Sequence, residues 1–207
     1  KDGAKNRLRE QDIHRIVDVF NKQLELPKYS RMVLYSEISD PKNEYNLSLS
    51  RYIDSQEEED IQNIESHLSG GIPSKDIDDF NKYWDALPTL KVDLFSPNAR
   101  DGFYDLKVEQ ESIKKTIFEH ADFTKYTDEI DEILKEWEEK HVPYLYAIDI
   151  GVKPKETIRF LSEDLLQKFS EVPLIDKYDI YQILMNYWNK TMQDDLYILA
   201  TGGWKAE

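Results

Sequence analysis

The chain has 207 residues, with 42 Asp and Glu against 27 Lys and Arg for a formal net charge of −15, and it contains no cysteine. This length suits one domain or two small ones with a substantial core. The missing cysteine excludes disulfides, thiolate metal sites and a Cys nucleophile, and the longest apolar run, Val142–Ile148, falls far short of the roughly 18 residues of a membrane span. The chain starts at Lys1 with no apolar h-region behind it, which reads as an internal fragment of a non-secreted protein.

Ile13, Ile16, Val17, Phe20 and Leu24 share one helical face, so a helix is expected from about Glu10 to Leu24, ending before Pro27. From Tyr45 to Ile53 the apolar residues recur with period two. A strand is expected there, paired with Arg31–Tyr35 across a loop containing Pro41. Ser55 and Glu58 have capping-box spacing, predicting a helix through Ile61, Ile64 and Leu68 that stops at Gly70-Gly71. Ile77, Phe80, Trp84 and Leu87 predict a helix from Ser74 to Pro88, followed by a turn over 97–102 and a short strand at Tyr104, Leu106 and Val108.

Ile113 and Ile117 mark another helix, and the stripe from Phe123 to Trp137 continues a helix through Lys140, which Pro143 should break. Pro154 at the first helical position opens the next, carrying Ile158, Leu161, Leu165 and Phe169. Asp176 can cap the last long helix, with Tyr181, Leu184, Trp188 and Met192 on one face, and Leu196–Thr201 reads as extended. The fold class is therefore mainly α: a multi-helix C-terminal domain, with a short β-hairpin or connector near the N-terminus.

Charge divides the chain further. Residues 1–53 hold ten Lys and Arg against eight Asp and Glu, a net of +2, which leaves −17 for the remainder. Lys5, Arg7 and Arg9 form a small basic stretch able to contact phosphate. Tyr178, Tyr181, Tyr187 and Trp188 make an aromatic face that reads as core or as a protein interface. No Gly-x-Gly, P-loop, His-Glu-x-x-His or Gly-x-Ser-x-Gly occurs, so local support for dinucleotide, metal or triad chemistry is missing. Asp93 with Asp105 and Lys107 has a nuclease-like composition, but such spacing arises readily by chance in a chain with 33% charged residues.

Three strings carry a resemblance. Asn6-Arg-Leu-Arg-Glu-Gln-Asp-Ile-His14-Arg-Ile-Val17, Tyr45-Asn-Leu-Ser-Leu-Ser-Arg-Tyr-Ile-Asp54, and Leu174–Tyr181 with Tyr187-Trp188 and Met192–Asp195 together resemble the modification (M) subunit of type I restriction-modification systems. The resemblance implies a cytoplasmic, adenine-specific DNA methyltransferase that uses S-adenosylmethionine. It also implies two M subunits assembled on a specificity (S) subunit, with a restriction (R) subunit and DNA as further partners and no membrane.

The family's Asn-Pro-Pro-Phe motif and its glycine-bearing cofactor motif have no matching positions here, so no catalytic, cofactor-binding or metal residue carries over. The expectation is the C-terminal part of such a subunit, not an enzyme by itself. Residues 1–54 would be the end of the methyltransferase domain with a β connector, and residues 55–207 an acidic helical C-terminal domain. Lys5, Arg7 and Arg9 are the candidate DNA contacts; Tyr178, Tyr181 and Trp188 are the candidate subunit interface. The alternatives are a stand-alone acidic helical interaction protein that mimics DNA charge and, third, a small Mg²⁺ nuclease built on Asp93, Asp105 and Lys107.

Overall fold

The computed structural model describes residues 6–56 and 63–204. The chain divides into two compact units, Lys1–Ile61 and Gln62–Glu207.

In the first unit, α1 spans Glu10–Lys22. Arg9 precedes it, and its backbone N–H and guanidinium both donate to the Asp12 carboxylate, 2.9 to 3.1 Å away, while the Asp12 N–H donates to the Arg9 carbonyl at 3.0 Å, so Asp12 closes the first turn. Gln23, at φ 51°, ends the helix in the left-handed region. A four-residue helix, α2 (Tyr35–Ile38), and a 3₁₀ turn at Leu49–Arg51 follow.

The strand expected over 45–53 does not form, and neither does its partner at Arg31–Tyr35. The connector alternative holds instead, and short side chains explain why. Tyr45 sits at φ 57°, the Asn46 side chain accepts from the Ser48 N–H at 2.8 Å, and the Tyr52 hydroxyl donates to the Asn46 carbonyl at 2.6 Å. Asn and Ser thus offer the backbone local partners in place of a ladder. The period-two pattern is an outward display: Tyr45, Leu47 and Leu49 are exposed.

The expected Ser55–Glu58 capping box and Ile61 reach outside the described residues. Helix α3 (Ile64–Ser69) is capped by Asn63, whose side chain accepts from the Ser66 N–H, and it stops at Gly70-Gly71 as expected. A Cβ on Gly71, at φ 84°, would lie 3.1 Å from the Arg100 guanidinium and 3.4 Å from Phe103, so glycine is needed there for conformation and space alike. A small antiparallel sheet, in the order β1-β3-β2, joins β1 (Ile72–Pro73), β2 (Phe95–Pro97) and β3 (Phe103–Leu106).

The single helix expected from Ser74 to Pro88 is two, α4 (Ser74–Asp78) and α5 (Asn81–Ala86), and α6 (Leu90–Leu94) leads into β2. The break at Asp79-Phe80 lets the Trp84 indole N–H reach the Ile77 carbonyl at 2.7 Å. Leu87, Leu90 and Leu94 form the first core cluster, under Trp84, Phe95, Ile117 and Phe123.

Helix α7 (Ile113–Phe118) precedes α8 (Ala121–Tyr146), a helix of 26 residues. Pro143 lies inside α8 and does not end it at Lys140. A proline three residues before a helix end forfeits a single backbone bond, and the last turn is held by apolar contacts of Tyr144 and Leu145 with Ile148, Trp188 and Leu196.

Helix α9 (Pro154–Lys168) buries Thr157, Leu161, Leu165 and Leu166, and α10 (Lys177–Tyr187) starts at Asp176, whose carboxylate accepts from the Tyr178 N–H at 2.9 Å. A five-residue π turn, Trp188–Met192, joins α10 to α11 (Gln193–Gly202) without a break. Leu196–Thr201 is therefore helical, not extended. The reason lies in the spacing of the buried face, where Tyr181, Trp188 and Leu196 are 7 and then 8 residues apart. The wide turn absorbs the extra residue and returns Leu196 beneath Trp188.

Candidate nucleic-acid and subunit interfaces

Of the three expected DNA contacts, Lys5 lies outside the described residues. Arg7 and Arg9 are exposed ahead of α1. Arg9 is committed to Asp12, and hydrogen bonds from the Arg9 side chain and backbone hold the Asp12 carboxyl below its ordinary value despite partial desolvation. Arg9 therefore starts a helix as much as it offers charge. Arg15 stacks over the Tyr29 ring at 4.5 Å, and Arg31 forms a two-pronged ion pair with Glu37 at 2.8 and 3.0 Å.

Sequence reasoning missed how little the first unit buries. Gln11 and Val19 are its buried residues among those described, whereas Ile13, Ile16 and Val17 are half exposed and Phe20 is 80% exposed. An open groove of about 680 Å³ runs beside this face, lined by Ile16, Phe20, Leu24, Tyr29, Met32 and Leu49 among others. Its lining includes no carboxylate for ribose hydroxyls, and residues 6–56 contain no glycine for a close turn around a cofactor. The groove does not fit S-adenosylmethionine.

In the second unit, Tyr178, Tyr181 and Trp188 are buried within the chain. Tyr178 and Tyr181 pack with Leu166, and Trp188 with Ile148 and Leu196. Of the two meanings their aromatic pattern allowed, core is where the fold places them. The outward face of the same helix carries Ile183, Tyr187 and Ile198, each more than half exposed.

Two histidines tie α8 to its neighbours. His120 caps its N-terminus: Nδ1 accepts from the Asp122 N–H at 3.1 Å, and Nε2 lies 3.0 Å from the Asp93 carboxylate. Because Nδ1 accepts, Nε2 carries the proton and donates to Asp93. The Thr89 backbone N–H donates to Asp122 and, with the Thr89 hydroxyl, outweighs desolvation and keeps that carboxyl low. His141 is fully buried between Trp137 and Phe160, with Nε2 2.9 Å from Asp164 and Nδ1 without a hydrogen-bond partner. Burial pushes Asp164 up, but hydrogen bonds and charge from Lys140 and His141 prevail and hold it below the carboxylate norm.

The nuclease-like residues are occupied separately. Asp105 accepts from the Asn98 side chain at 2.8 Å, Lys107 donates to the Val92 carbonyl at 2.6 Å, and Asp93 binds His120. Among the described residues no group of three or more His, Asp and Glu is arranged to hold a metal ion, and none of the helices is long and apolar enough to cross a membrane.

Comparison with known families resolves part of this. Residues 1–61 match the family model of N-6 DNA methylases. The match covers less than a third of the chain and coincides with the first compact unit. That unit is similar to adenine DNA methylases while lacking, among its own residues, the Asn-Pro-Pro-Phe and glycine-bearing motifs. No curated protein and no solved structure matches the chain.

Proposed function

We propose that this chain is the C-terminal part of a type I modification subunit, an adenine-specific, S-adenosylmethionine-dependent DNA methyltransferase, and that it serves assembly with the specificity subunit and closure around DNA. The observation that carries the reading is the methylase match over residues 1–61 joined to an acidic helical unit that carries the third resembling string. The exposed apolar face of α1 supports it, since a unit that buries so little of its own apolar surface suits a place in a larger domain. The cofactor and the flipped adenine would be held by residues outside this chain.

Incubating the chain with labelled S-adenosylmethionine and DNA should give no methyl incorporation, and clear incorporation would overturn the assignment. In the reconstituted modification enzyme, an Arg7→Ala variant should lose affinity about equally for target and non-target DNA, with a shallower dependence on salt. Arg9→Ala is the poorer test, because it also removes the two guanidinium hydrogen bonds to Asp12 at the start of α1. The net charge of −15 supports the rival DNA-mimic reading. That rival requires salt-sensitive capture by a basic DNA-groove protein and no contact with a specificity subunit.

A further inference from the structure

The loop that follows α8 and the residues that follow α11 are tied at two points. The Gly151 N–H donates to the Ala200 carbonyl at 2.9 Å, and the Trp204 indole N–H donates to the Ile148 carbonyl at 2.6 Å. Gly203, at φ 70°, turns the chain between them, and a Cβ there would lie 3.3 Å from the Ile150 side chain and 3.6 Å from the Asp149 carboxylate. Beside this tie lies an open cleft of about 400 Å³, lined by Tyr146, Asp149, Ile150 and Trp204 among others. That is near the small end of ligand clefts, which run from roughly 300 to 1,000 Å³.

The lining has a distinct chemistry. Tyr146, Ile150 and Trp204 are each more than half exposed. Because the Trp204 N–H is already bonded within the chain, the indole offers a ligand ring surface and no donor. Asp149 is the charged residue of the lining among the described residues. One of its carboxylate oxygens accepts from the Ile150 N–H at 2.8 Å, and no described Lys, Arg or His pairs with it.

We propose that this cleft receives the guanidinium of an arginine side chain presented by a protein partner. Aromatic rings beside an unmatched carboxylate attract a cation. A nucleotide would also stack on the rings, but its phosphate would meet Asp149 with no cation in the described lining, on a chain of net charge −15. An ammonium is a strongly hydrated point charge, whereas a guanidinium sheds water more readily, stacks on rings and forks onto a carboxylate. Free arginine fits less well than arginine within a peptide, because its α-carboxylate would bring a second negative charge near Asp149. The inference does not rest on the assembly reading.

The test uses the whole chain and, as probe, Nα-acetyl-arginine methylamide, titrated while the tryptophan indole N–H signals are followed by NMR. We expect a saturable shift of the Trp204 indole and the Gly203 amide, with Trp84, Trp137 and Trp188 unmoved. The uncharged isostere Nα-acetyl-citrulline methylamide should bind at least about tenfold more weakly. Asp149→Asn, which keeps an acceptor for the Ile150 N–H, should weaken arginine binding by a similar factor. Tyr146→Ser, at an exposed side chain, should weaken it severalfold while helix content stays constant. Asp131→Asn, which removes the same charge four turns earlier on α8, should leave it unchanged.

A Trp204 indole that does not move, or equal affinity for the citrulline probe, would overturn the proposal. Equal losses from Asp131→Asn and Asp149→Asn would mean diffuse acidic attraction and overturn it as well. Tighter binding of free L-arginine than of the blocked probe would make the cleft a small-molecule site, and tighter binding of adenosine monophosphate would make it a nucleotide site. Either result would also overturn the proposal.

Discussion

At the scale of single residues, the carboxylates of this chain act as fasteners. Asp164 joins α9 to Lys140 and His141 of α8, and Asp122 joins α8 to Thr89. Glu136 is likewise held low, by a hydrogen bond and the charge of Lys168 2.8 Å away. Each has a folded-state value below its unfolded one, so each contributes stability that is fully present above the unfolded carboxylate range and is lost as pH falls through the folded value. Thermal unfolding followed across the acid range should therefore show a falling midpoint, and Asp164→Asn should flatten that fall. Lys153, raised by its hydrogen bond to Glu156, works in the opposite sense: its contribution is present below the unfolded lysine value and lost as pH rises through the folded one, and full exposure of the pair keeps it small.

Removing the α10 cap with Asp176→Ala should cost about 1 kcal/mol in chemical denaturation. The Asp176 cap was legible from its place before an apolar period. The Arg9–Asp12 cap was not, because arginine ahead of a helix is no cap signal by residue type, and only the geometry shows its fork reaching Asp12.

At the scale of elements, the most informative feature is the π turn. Deleting exposed Asn189 should convert the 7-and-8 spacing of Tyr181, Trp188 and Leu196 into 7 and 7, which a plain α-helix keeps within about 20° per step. We expect that deletion to lower the unfolding midpoint less than deletion of Glu163 in mid-α9, which would rotate Leu165 and Leu166 out of register with Leu161. Circular dichroism melts of the two variants measure the difference. Leu161→Ala, at a side chain 1% exposed, should cost about 2–5 kcal/mol.

Periodicity carried most of the helices. It identified the apolar faces of α1, α8, α9 and α10, along with the glycine stop after α3. It failed at 45–53, where an alternating pattern was the outside of a loop whose Asn and Ser side chains hold the backbone, and at Pro143, where neighbouring apolar contacts override one lost bond. It also failed at Leu196–Thr201, because a window of a few residues does not reveal that Leu196 completes a face begun at Tyr181. The aromatic face showed the same limit, since sequence spacing identified the stripe without saying which side of the helix would find a partner inside the chain.

At the scale of the whole molecule, the two units differ in what they bury. The second encloses Leu90, Leu94, Leu161, Phe169 and His141 at 2% exposure or less, and the first, among its described residues, encloses Gln11 and Val19 only to 9%. Native-state hydrogen exchange should accordingly find the amides of α1 opening well before those of α9. If the first unit belongs to a larger methylase domain, the α1 amides should gain protection when the chain is assembled with its partners.

Assembly with a specificity subunit is read by light scattering on a size-exclusion column. Mixed with a type I specificity subunit in high salt, the chain should co-elute in a complex of two copies to one. Separate elution in high salt, with capture by a basic DNA-binding protein at low salt alone, would mean that the chain is a charge mimic and not an assembly module.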